Sequence, residues 1–545
     1  MTAAVSRDWV RCVKCGAIAY GKRYRRDLRT CASCRHNGLM TAPERIESLA
    51  DEGSVREFEA PSITDDPLHF TDTKSYLRRL HEAREESGLD EAVVCAHAAI
   101  GGFPVVLAVM DFRFMGGSLG RGVGERVTRA AEAAVQERVP LVIVTSSGGA
   151  RMQEGNLALM QMVKTSQALA ELDAGGVLTI SVLTDPTYGG VAASFATLPD
   201  IILAEEGART GFAGPRVVEQ ITGERLPESF QKAESLFRHG FVDAVLARRS
   251  IRSRIAAIVR TVQAPSETGA CGPSNWLVTD SERLPETPAW DVVRMARKAG
   301  RPTTLDYANM LLDDFTELHG DRLGTDCVAL VGGIGRLDGR PVMMIGHQKG
   351  RDTAERVARN FGMASPGGYR KAARLMRLAE KWRLPVITLI DTPGADPGID
   401  AEEQGQAWAI ADNLRLMSGL SVPIVSVVTG EGGSGGALAL GVADRVYALS
   451  NAVYSVISPE GCASILWKRA EAAPRAAEAL RLHAPELLRM GIIDAVIEEP
   501  GNGAHDAPLA TAQLLRAVLS DAIDDLRRHE VDELLKARRN RFRSY

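Results

Sequence analysis

The feature that most constrains this chain is a glycine-rich segment that joins an apolar run to a helical pattern. Residues 424–440 read IVSVVTGEGGSGGALAL, with five glycines in the seven positions that follow the β-branched run. This pattern predicts a strand, a tight turn and the start of a helix. Glycines at such a junction let backbone N–H groups face outward, and the helix dipole adds partial positive charge behind them. The turn is therefore predicted to hold an anion, although one glycine alone would be explained by a positive φ.

The same arrangement occurs earlier in the chain, which indicates an internal repeat. Residues 179–195 read TISVLTDPTYGGVAASF, again an apolar run, a Gly-Gly pair and small apolar residues. The match extends upstream, where residues 137–150 align with 381–395 and residues 115–134 align with 361–380. We therefore predict two copies of one fold, each with a Gly-Gly anion site.

Strands that alternate with helices predict an α/β fold with a parallel-rich sheet in each copy. In the first copy the periodicity predicts helices at 75–88 and 156–172 and strands at 105–112 and 141–146. A proline-rich stretch separates the copies and serves as a linker. The predicted boundaries are a cysteine module at 1–40, the first copy at 41–263, the linker at 264–290, the second copy at 291–525 and a charged, solvated C-terminal helix at 526–545.

Four of the eight cysteines form two CxxC pairs separated by fifteen residues: Cys12, Cys15, Cys31 and Cys34. Two turns that each present two thiolates, brought together by an intervening hairpin, make the closed tetrahedral site of structural zinc. The alternatives are four unpaired cysteines in a disordered tail, or a redox pair, although neither CxxC opens a helix in a βαβ context. Because four thiolates leave no position for substrate, we predict that the zinc is structural.

Composition and charge limit the class of protein. A net charge of −4 argues against nucleic-acid binding by the whole chain. No apolar run approaches about 18 residues, and the N-terminus lacks the apolar core of a signal peptide, so a cytoplasmic location without a membrane is expected. The cysteine module is locally basic, which is compatible with binding of RNA or phosphate and equally with a solvated surface.

Gly432, Ser434 and Gly436 match G-x-S-x-G, the nucleophile elbow of serine hydrolases, with Asp444 and His483 as possible partners. The first copy argues against this interpretation because it keeps Gly-Gly but has no serine. The residue of the first copy that aligns with Ser434 is Tyr188 or Gly189, depending on a one-residue shift in the alignment. What the copies share is backbone N–H donors, which stabilise the charge that develops on a carbonyl oxygen. Enolate chemistry at the α-carbon of an acyl-CoA is one such reaction.

Several long motifs carry a resemblance to a known family. The first copy, with SGGARMQEG (147–155) and LTDPTYGG (183–190), resembles the β subunit of bacterial acetyl-CoA carboxylase carboxyltransferase, and the cysteine module resembles that subunit's zinc domain. The second copy resembles the α subunit through GHQKGRD (346–352), IDTPGADPG (390–398) and GEGGSGGALA (430–439). The chain therefore resembles a fusion of the β and α subunits.

This resemblance implies two tandem crotonase-like (ClpP/crotonase spiral) domains preceded by a four-cysteine zinc ribbon. It implies homodimers or higher homo-oligomers, with each active site between the β-type copy of one protomer and the α-type copy of the other. The family transfers a carboxyl group from carboxybiotin on a carrier protein to acetyl-CoA, giving malonyl-CoA for fatty acid biosynthesis. Biotin carboxylase, which binds ATP, is the other implied partner. The chain has no Met-Lys-Met biotinylation pattern, so biotin is expected on a separate carrier.

The resemblance also implies roles for individual residues. Gly189 and Gly190 would hold the thioester oxygen of acyl-CoA, and Gly435 and Gly436 the ureido oxygen of biotin. Substrate channels would be walled by Gly116, Gly117, Gly148, Gly149 and Gly394. Asp396 and Asp400 depart from the family pattern and add negative charge near the biotin side. Carboxyl transfer to another acyl-CoA such as propionyl-CoA, giving methylmalonyl-CoA, and acyl-CoA decarboxylation remain the alternative functions.

Overall fold

The computed structural model describes residues 9–61, 63–265 and 276–545. The chain divides into two units, Met1–Gln263 and Ala264–Tyr545. Across the described ranges, no helix combines the length and the apolar character that crossing a membrane requires.

The cysteine module at the start of the first unit contains a short hairpin and a helix. Strands β1 (Trp9–Arg11) and β2 (Ile18–Tyr20) pair antiparallel, and helix α1 (Gly21–Arg26) follows. The predicted hairpin between the CxxC pairs is wrong, because the hairpin carries the first pair in its own turn. The residues that lead toward the second pair are rich in Lys and Arg, which favour a helix over a strand.

The first unit is built on an eight-stranded sheet with the order β10-β8-β7-β6-β5-β4-β3, and β9 pairs with the end of β7. The strands from β5 to β10 are parallel, whereas β3, β4 and β5 pair antiparallel. The bounds are β3 Arg56–Glu57, β4 Val93–Ile100, β5 Phe103–Met110, β6 Leu141–Ser147, β7 Thr179–Tyr188, β8 Ile201–Glu205, β9 Thr210–Gly211 and β10 Ala244–Leu246.

Helices cover the sheet of the first unit, so most residues of its central strands are buried. Every residue of β6 is buried, as expected for a parallel strand whose apolar run is continuous. The strands predicted at 105–112 and 141–146 and the helices predicted at 75–88 and 156–172 are confirmed. The helix bounds are α2 Ala42–Leu49, α3 Tyr76–Ser87, α4 Arg121–Glu137, α5 Gly155–Ala174, α6 Gly189–Ala192, α7 Pro215–Thr222, α8 Ala233–Arg238 and α9 Ile251–Gln263.

The second unit repeats this architecture in a nine-stranded sheet with the order β11-β19-β17-β16-β15-β14-β13-β12, in which β18 pairs with the end of β16. Strands β14 to β17 and β19 are parallel, in the places of β5 to β8 and β10. The predicted duplication of one α/β fold is confirmed. The bounds are β11 Leu277–Val278, β12 Asp313–Glu317, β13 Leu330–Leu337, β14 Arg340–His347, β15 Val386–Thr392, β16 Ile424–Gly433, β17 Arg445–Leu449, β18 Val453–Ser455 and β19 Ala495–Ile497.

The helices of the second unit include a short one, α16, that follows the end of β16. Helix α13 begins with proline at its first position, where the missing N–H removes no helical hydrogen bond. The bounds are α10 Ala289–Ala296, α11 Thr304–Leu311, α12 Thr353–Ala358, α13 Pro366–Lys381, α14 Ile399–Glu403, α15 Gln406–Gly419, α16 Ser434–Leu438, α17 Pro459–Cys462, α18 Ala473–Leu480, α19 Ala484–Arg489, α20 Pro508–Leu526 and α21 Val531–Arg543.

Both sheets contain the same irregularity just before the glycine pairs. Between β6 and β7, Ser146 alone faces the three residues 184–186. Between β15 and β16, Asp391 alone faces the three residues 429–431. Such bulges re-aim the end of a strand and are frequent beside functional sites. The two glycine turns therefore start from strand ends that leave the regular ladder.

Two predicted segments differ from the structure. Part of the predicted linker 264–290 is a strand, because Leu277 and Val278 pair with Ile497 and Val496 at the edge of the second sheet. Residues 266–275 of that linker lie outside the described residues. The C-terminal helix is not simply solvated, because the side chain of Arg538 in α21 is buried and paired with Asp444.

Candidate functional site

The two Gly-Gly segments follow the ends of β7 and β16, but their glycine pairs are offset by one residue. Tyr188 pairs with Gly211 of β9, and Gly433 pairs with Ser455 of β18. This register makes Gly189 equivalent to Ser434, and their φ angles of 57° and 55° agree. The one-residue ambiguity of the sequence is thereby removed. We call residues 188–190 the first glycine turn and residues 433–435 the second glycine turn.

At least one backbone N–H in each glycine turn donates to no acceptor that is found among the described loops and turns; in the second turn this is also true of Ser434. In the first turn, Gly189 donates its N–H to the Phe212 carbonyl at 3.0 Å, whereas no acceptor faces the N–H of Gly190. In the second turn, the N–H of the equivalent Gly435 likewise has no acceptor within the described ranges. Both groups lie in the first turn of a short helix, where backbone donors have no partner inside the helix.

The glycines predicted to wall a channel in the first unit do lie together. Gly148 donates its N–H to the Gly116 carbonyl at 2.8 Å. A Cβ on Gly117 would lie 1.9 Å from the Ser146 carbonyl oxygen, and one on Gly189 would lie 2.9 Å from the Cα of Gly149. The loops after β5 and β6 therefore pack against the first glycine turn at distances that side chains do not permit.

A cavity of about 450 Å³ opens beside this cluster. Gly116 and Gly148 line it together with Met115 and Met152, and charged side chains lie at its polar side: Arg79, Arg113, Glu82 and Glu86. Each arginine pairs with a carboxylate, Arg79 with Asp72 and Arg113 with Asp111, so the cavity combines an apolar part with balanced charge.

In the second unit, Gly394 lies against the second glycine turn. A Cβ on Gly433 would lie 2.0 Å from the Pro393 carbonyl oxygen, and one on Gly436 would lie 2.4 Å from the nitrogen of Ala395. Gly435 differs, because the nearest atom to its Cβ position is Ile410 Cγ2 at 3.9 Å. The loop 393–395 thus requires glycine at positions 433 and 436 but not at position 435.

The structure separates the members of the alternative hydrolase triad. Asp444 accepts the N–H of Ile424 at 2.8 Å, at the start of β16, whereas Ser434 follows the end of that strand. The ten residues of β16 span about 30 Å. Both carboxylate oxygens of Asp444 also accept from Arg538, at 2.8 and 2.7 Å. Asp444 therefore cannot orient a catalytic histidine beside Ser434.

Ser434→Ala is accordingly expected to keep the activity of the site within about threefold of the wild-type kcat, because the backbone N–H groups of the turn remain. The measurement is steady-state turnover with both proteins at equal folded concentration. A variant without activity would restore the nucleophile hypothesis.

The four cysteines of the N-terminal module form one cluster whose sulfur atoms all lie within 4.8 Å of one another. Cys12 Sγ lies 3.7 Å from Cys34 Sγ, and Cys15 Sγ lies 3.8 Å from Cys31 Sγ. Four sulfurs at about 2.3 Å from a tetrahedral zinc ion are about 3.8 Å apart, so the geometry fits this metal.

Arg248 joins this module to the sheet of the first unit. Its guanidinium donates to the carbonyls of Leu28 and Gly38, both at 2.8 Å, and to the carboxylate of Glu205 at the end of β8. Arg45 pairs with the same buried carboxylate at 2.5 Å. Two guanidinium groups thus compensate one buried carboxylate, and folding of the metal module is coupled to β8.

Sequence reasoning missed a charged cluster at the carboxyl ends of β14, β15 and β16. Lys349 Nζ lies 3.1 Å from Asp391 Oδ1 and contacts the Glu431 carboxylate, while Arg297 Nε donates to Glu431 Oε1 at 2.6 Å. Burial alone would lower the pKa of Lys349, but the two carboxylates outweigh it and raise that pKa above its ordinary value. The sequence did contain a signal for this cluster, because each residue lies in a glycine-rich motif: Lys349 in GHQKGRD, Asp391 in IDTPGADPG and Glu431 in GEGGSGGALA.

Comparisons with known proteins agree with this geometry. The acetyl co-enzyme A carboxylase carboxyltransferase-like family matches residues 279–545. Proteins named acetyl-coenzyme A carboxylase carboxyl transferase subunits beta/alpha are similar over nearly the whole chain. The one from Frankia alni is 57% identical over 99% of this chain and 89% of its own length. The one from Parafrankia sp. (strain EAN1pec) is 54% identical over 99% of this chain and 91% of its own length.

A solved structure with the same fold is the transcarboxylase 12S hexamer, determined with methylmalonyl-coenzyme A bound. The two structures superpose with a TM-score of 0.70, and their sequences are 25% identical. The match covers 92% of this chain and 91% of the transcarboxylase chain.

Proposed function

The chain belongs to the acetyl-CoA carboxylase carboxyltransferase family, with the β-type and α-type sequences fused, and from this premise we propose how its two units divide the reaction. The protein is a biotin-dependent carboxyltransferase that moves a carboxyl group from carboxybiotin to acetyl-CoA, giving malonyl-CoA. The observation that supports the division of labour is the pair of equivalent glycine turns, each with at least one N–H that has no acceptor among the described loops and turns.

The chemistry requires stabilisation of two separate oxygens. The bond between the carboxyl carbon and a ureido nitrogen of biotin breaks, the α-carbon of acetyl-CoA gives its proton to that nitrogen, and the α-carbon forms the new carbon–carbon bond. Negative charge develops on the thioester oxygen when the proton leaves, and on the ureido oxygen when the carboxyl group leaves. Fixed backbone N–H donors stabilise both charges without reorganising, and the ureido nitrogen makes a protein base unnecessary.

Each turn is assigned to one of these oxygens by the family correspondence. In the first unit, Gly190 donates its N–H to the thioester oxygen, and the neighbouring cavity accommodates the CoA moiety. In the second unit, Gly435 donates to the ureido oxygen. Gly189 and Gly436 do not donate to substrate in this scheme. Gly189 gives its N–H to the Phe212 carbonyl, and Gly436 packs against the backbone of Ala395. Because they lack side chains, these two glycines let the turns approach the adjacent loops.

The remaining components follow from the same family membership. Biotin arrives on a separate carrier protein and is therefore a substrate of this chain, charged by an ATP-dependent biotin carboxylase. We expect a homodimer or a higher homo-oligomer, which light scattering on the purified chain would measure. The cytoplasmic location stays a prediction. RNA binding by the basic cysteine module also stays a prediction, and a gel shift at physiological salt would test it.

The reverse reaction tests the function most directly. Purified chain is mixed with malonyl-CoA and biotin or biotinylated carrier, and acetyl-CoA release is followed. Release that depends on biotin is the expected result, and methylmalonyl-CoA is run in parallel to measure substrate preference. Release without biotin would instead identify a decarboxylase, and faster reaction of methylmalonyl-CoA would favour the propionyl-CoA alternative.

Cys31→Ser tests the metal module. A structural zinc site contributes on the order of 10 kcal/mol to the folding of its own module, so the variant is expected to lose zinc and to unfold residues 9–40. Glu205 keeps Arg45 and Arg248 as partners, so both units should stay folded. We expect KM for malonyl-CoA to rise several-fold, and wild-type kinetics after loss of zinc would contradict a role for the module in binding substrate. Zinc content and limited proteolysis provide readouts that do not depend on activity.

A further inference from the structure

We propose that Lys349 is a positioning residue that fixes the second glycine turn by holding the bulged end of β16 in place. The inference rests on the proposed function of the Gly435 N–H. Lys349 acts through Asp391 and Glu431.

The three residues come from the ends of neighbouring parallel strands. Lys349 follows β14, Asp391 lies in β15 and Glu431 lies in β16. Their side chains are 13%, 14% and 9% exposed, and the lysine ammonium group contacts both carboxylates. One cation thus connects three strand ends at the edge of the sheet that carries the turn.

Asp391 fills the bulge between β15 and β16. It alone faces residues 429–431, and its Oδ1 accepts the N–H of Glu431 at 2.9 Å. A Cβ on Gly430 would lie 2.4 Å from the same oxygen, so the carboxylate occupies the space that a side chain would take. Asp391 therefore replaces a ladder hydrogen bond that the bulge removes. Glu431 lies only three residues before Ser434, so the position of the turn follows that of the bulge.

Two carboxylates at one bulge require a cation. Lys349 supplies a positive charge between them. Arg297 binds the other carboxylate oxygen of Glu431, and it also pairs with Glu460 at 2.5 Å. Removal of one partner from a buried ion pair leaves its counter-charge uncompensated. Without Lys349, Asp391 and Glu431 would repel each other where the bulge brings them together.

The first unit holds its equivalent bulge differently, because the charged residue within it, Asp185, is 26% exposed and pairs with the half-exposed Arg209. Thr184 Oγ1 donates to the Thr145 carbonyl at 2.6 Å, and the hydroxyl groups of Thr145 and Thr187 lie 2.9 Å apart. Neutral hydroxyl groups, together with this more exposed ion pair, take the place of the lysine cluster. Disturbance of Lys349 should therefore affect the biotin side and leave the acyl-CoA side intact.

Lys349→Met is the test, in the reverse transfer assay with malonyl-CoA and biotin. Because misplacement of a donor by about 1 Å can cost about 10²-fold in rate, we expect kcat to fall by roughly 10- to 100-fold. We expect KM for malonyl-CoA to stay within about twofold, and Lys349→Arg to restore part of kcat because it keeps the charge.

The matched control is Lys371→Met. Lys371 is 1% exposed and donates to Asp326 at 2.6 Å and to the Cys327 carbonyl at 2.8 Å, so its loss also removes a buried cation from the second unit. We expect a similar loss of thermal stability and an unchanged kcat per folded protein. Equal kcat for the two methionine variants would overturn the inference.

Two further comparisons keep the test decisive. A wild-type chain without biotin-dependent transfer would count against the proposed function itself, whereas an active wild type with an active Lys349→Met counts only against the positioning role. If Lys349→Met does not fold, Asp391→Asn and Asp391→Ala replace it. Asn keeps an acceptor for the Glu431 N–H and Ala does not, so the alanine variant should be about tenfold slower, and equal rates would again overturn the inference.

Discussion

Gly190→Pro is expected to lower kcat for carboxyl transfer by about 10²- to 10³-fold, the typical cost of one lost oxyanion donor. Proline removes the N–H that has no acceptor among the described residues and leaves the rest of the turn in place. Gly189 has a positive φ, so Gly190 is the first residue with a helical backbone, and proline is well tolerated at that position of a helix. The measurement is kcat in the biotin-dependent assay, with thermal unfolding as the check on folding.

Gly190→Ala is the control for this variant because it keeps the N–H. An added Cβ would lie 3.4 Å from Met162 Sδ and 3.6 Å from Leu119 Cδ2, which is ordinary contact. The alanine variant should therefore retain most of the wild-type rate. If the proline variant is folded and as fast as the alanine variant, the Gly190 N–H is not a donor in the reaction.

Gly436→Ala is expected to abolish most of the activity, whereas the neighbouring Gly435→Ala should be close to wild type. The Cβ on residue 436 would meet the nitrogen of Ala395 at 2.4 Å and the carbonyl carbon of Gly394 at 2.7 Å. Backbone atoms cannot rotate away, so the loop and the turn must separate. Overpacking of this kind costs about 1–3 kcal/mol of stability. A shift of about 1 Å in a positioned donor costs about 10²-fold in rate.

The two alanine variants differ by one position in the chain, so they separate packing from chemistry. The nearest atom to the Cβ position of Gly435 lies 3.9 Å away, and alanine there keeps the N–H. The comparison uses kcat of both variants together with their melting temperatures. Equal activities for the pair would show that the approach of loop 393–395 does not set the position of the turn.

The sequence predicts the strands, the glycine turns and the cysteine cluster because these depend on residues that are near one another in the chain. It does not decide which glycine presents the free N–H. Gly189 and Gly190 are alike as residues, and only the pairing of Tyr188 with Gly211 and the acceptance by Phe212 distinguish them. Strand register is a tertiary property, and a one-residue shift in it changes the role of every residue in the turn.

The charged cluster was missed for a related reason. Lys349 is 42 residues from Asp391 and 82 from Glu431, and each residue alone has the appearance of a polar position in a loop. Their function as a unit depends on the order of β14, β15 and β16 in the sheet. The C-terminal helix illustrates the same limit, because a basic sequence resembles a solvated helix until Arg538 is placed beside Asp444.

That ion pair has a consequence for the synthesis of the protein. Asp444 accepts the N–H of Ile424 at the start of the central strand β16, and its partner Arg538 follows 94 residues later. Arg538 also donates to the carbonyls of Met417, Leu420 and Val422. A chain that ends before α21 leaves all of these acceptors and one buried carboxylate without their cation. We therefore expect the second sheet to reach its full stability only after this last helix has been synthesised.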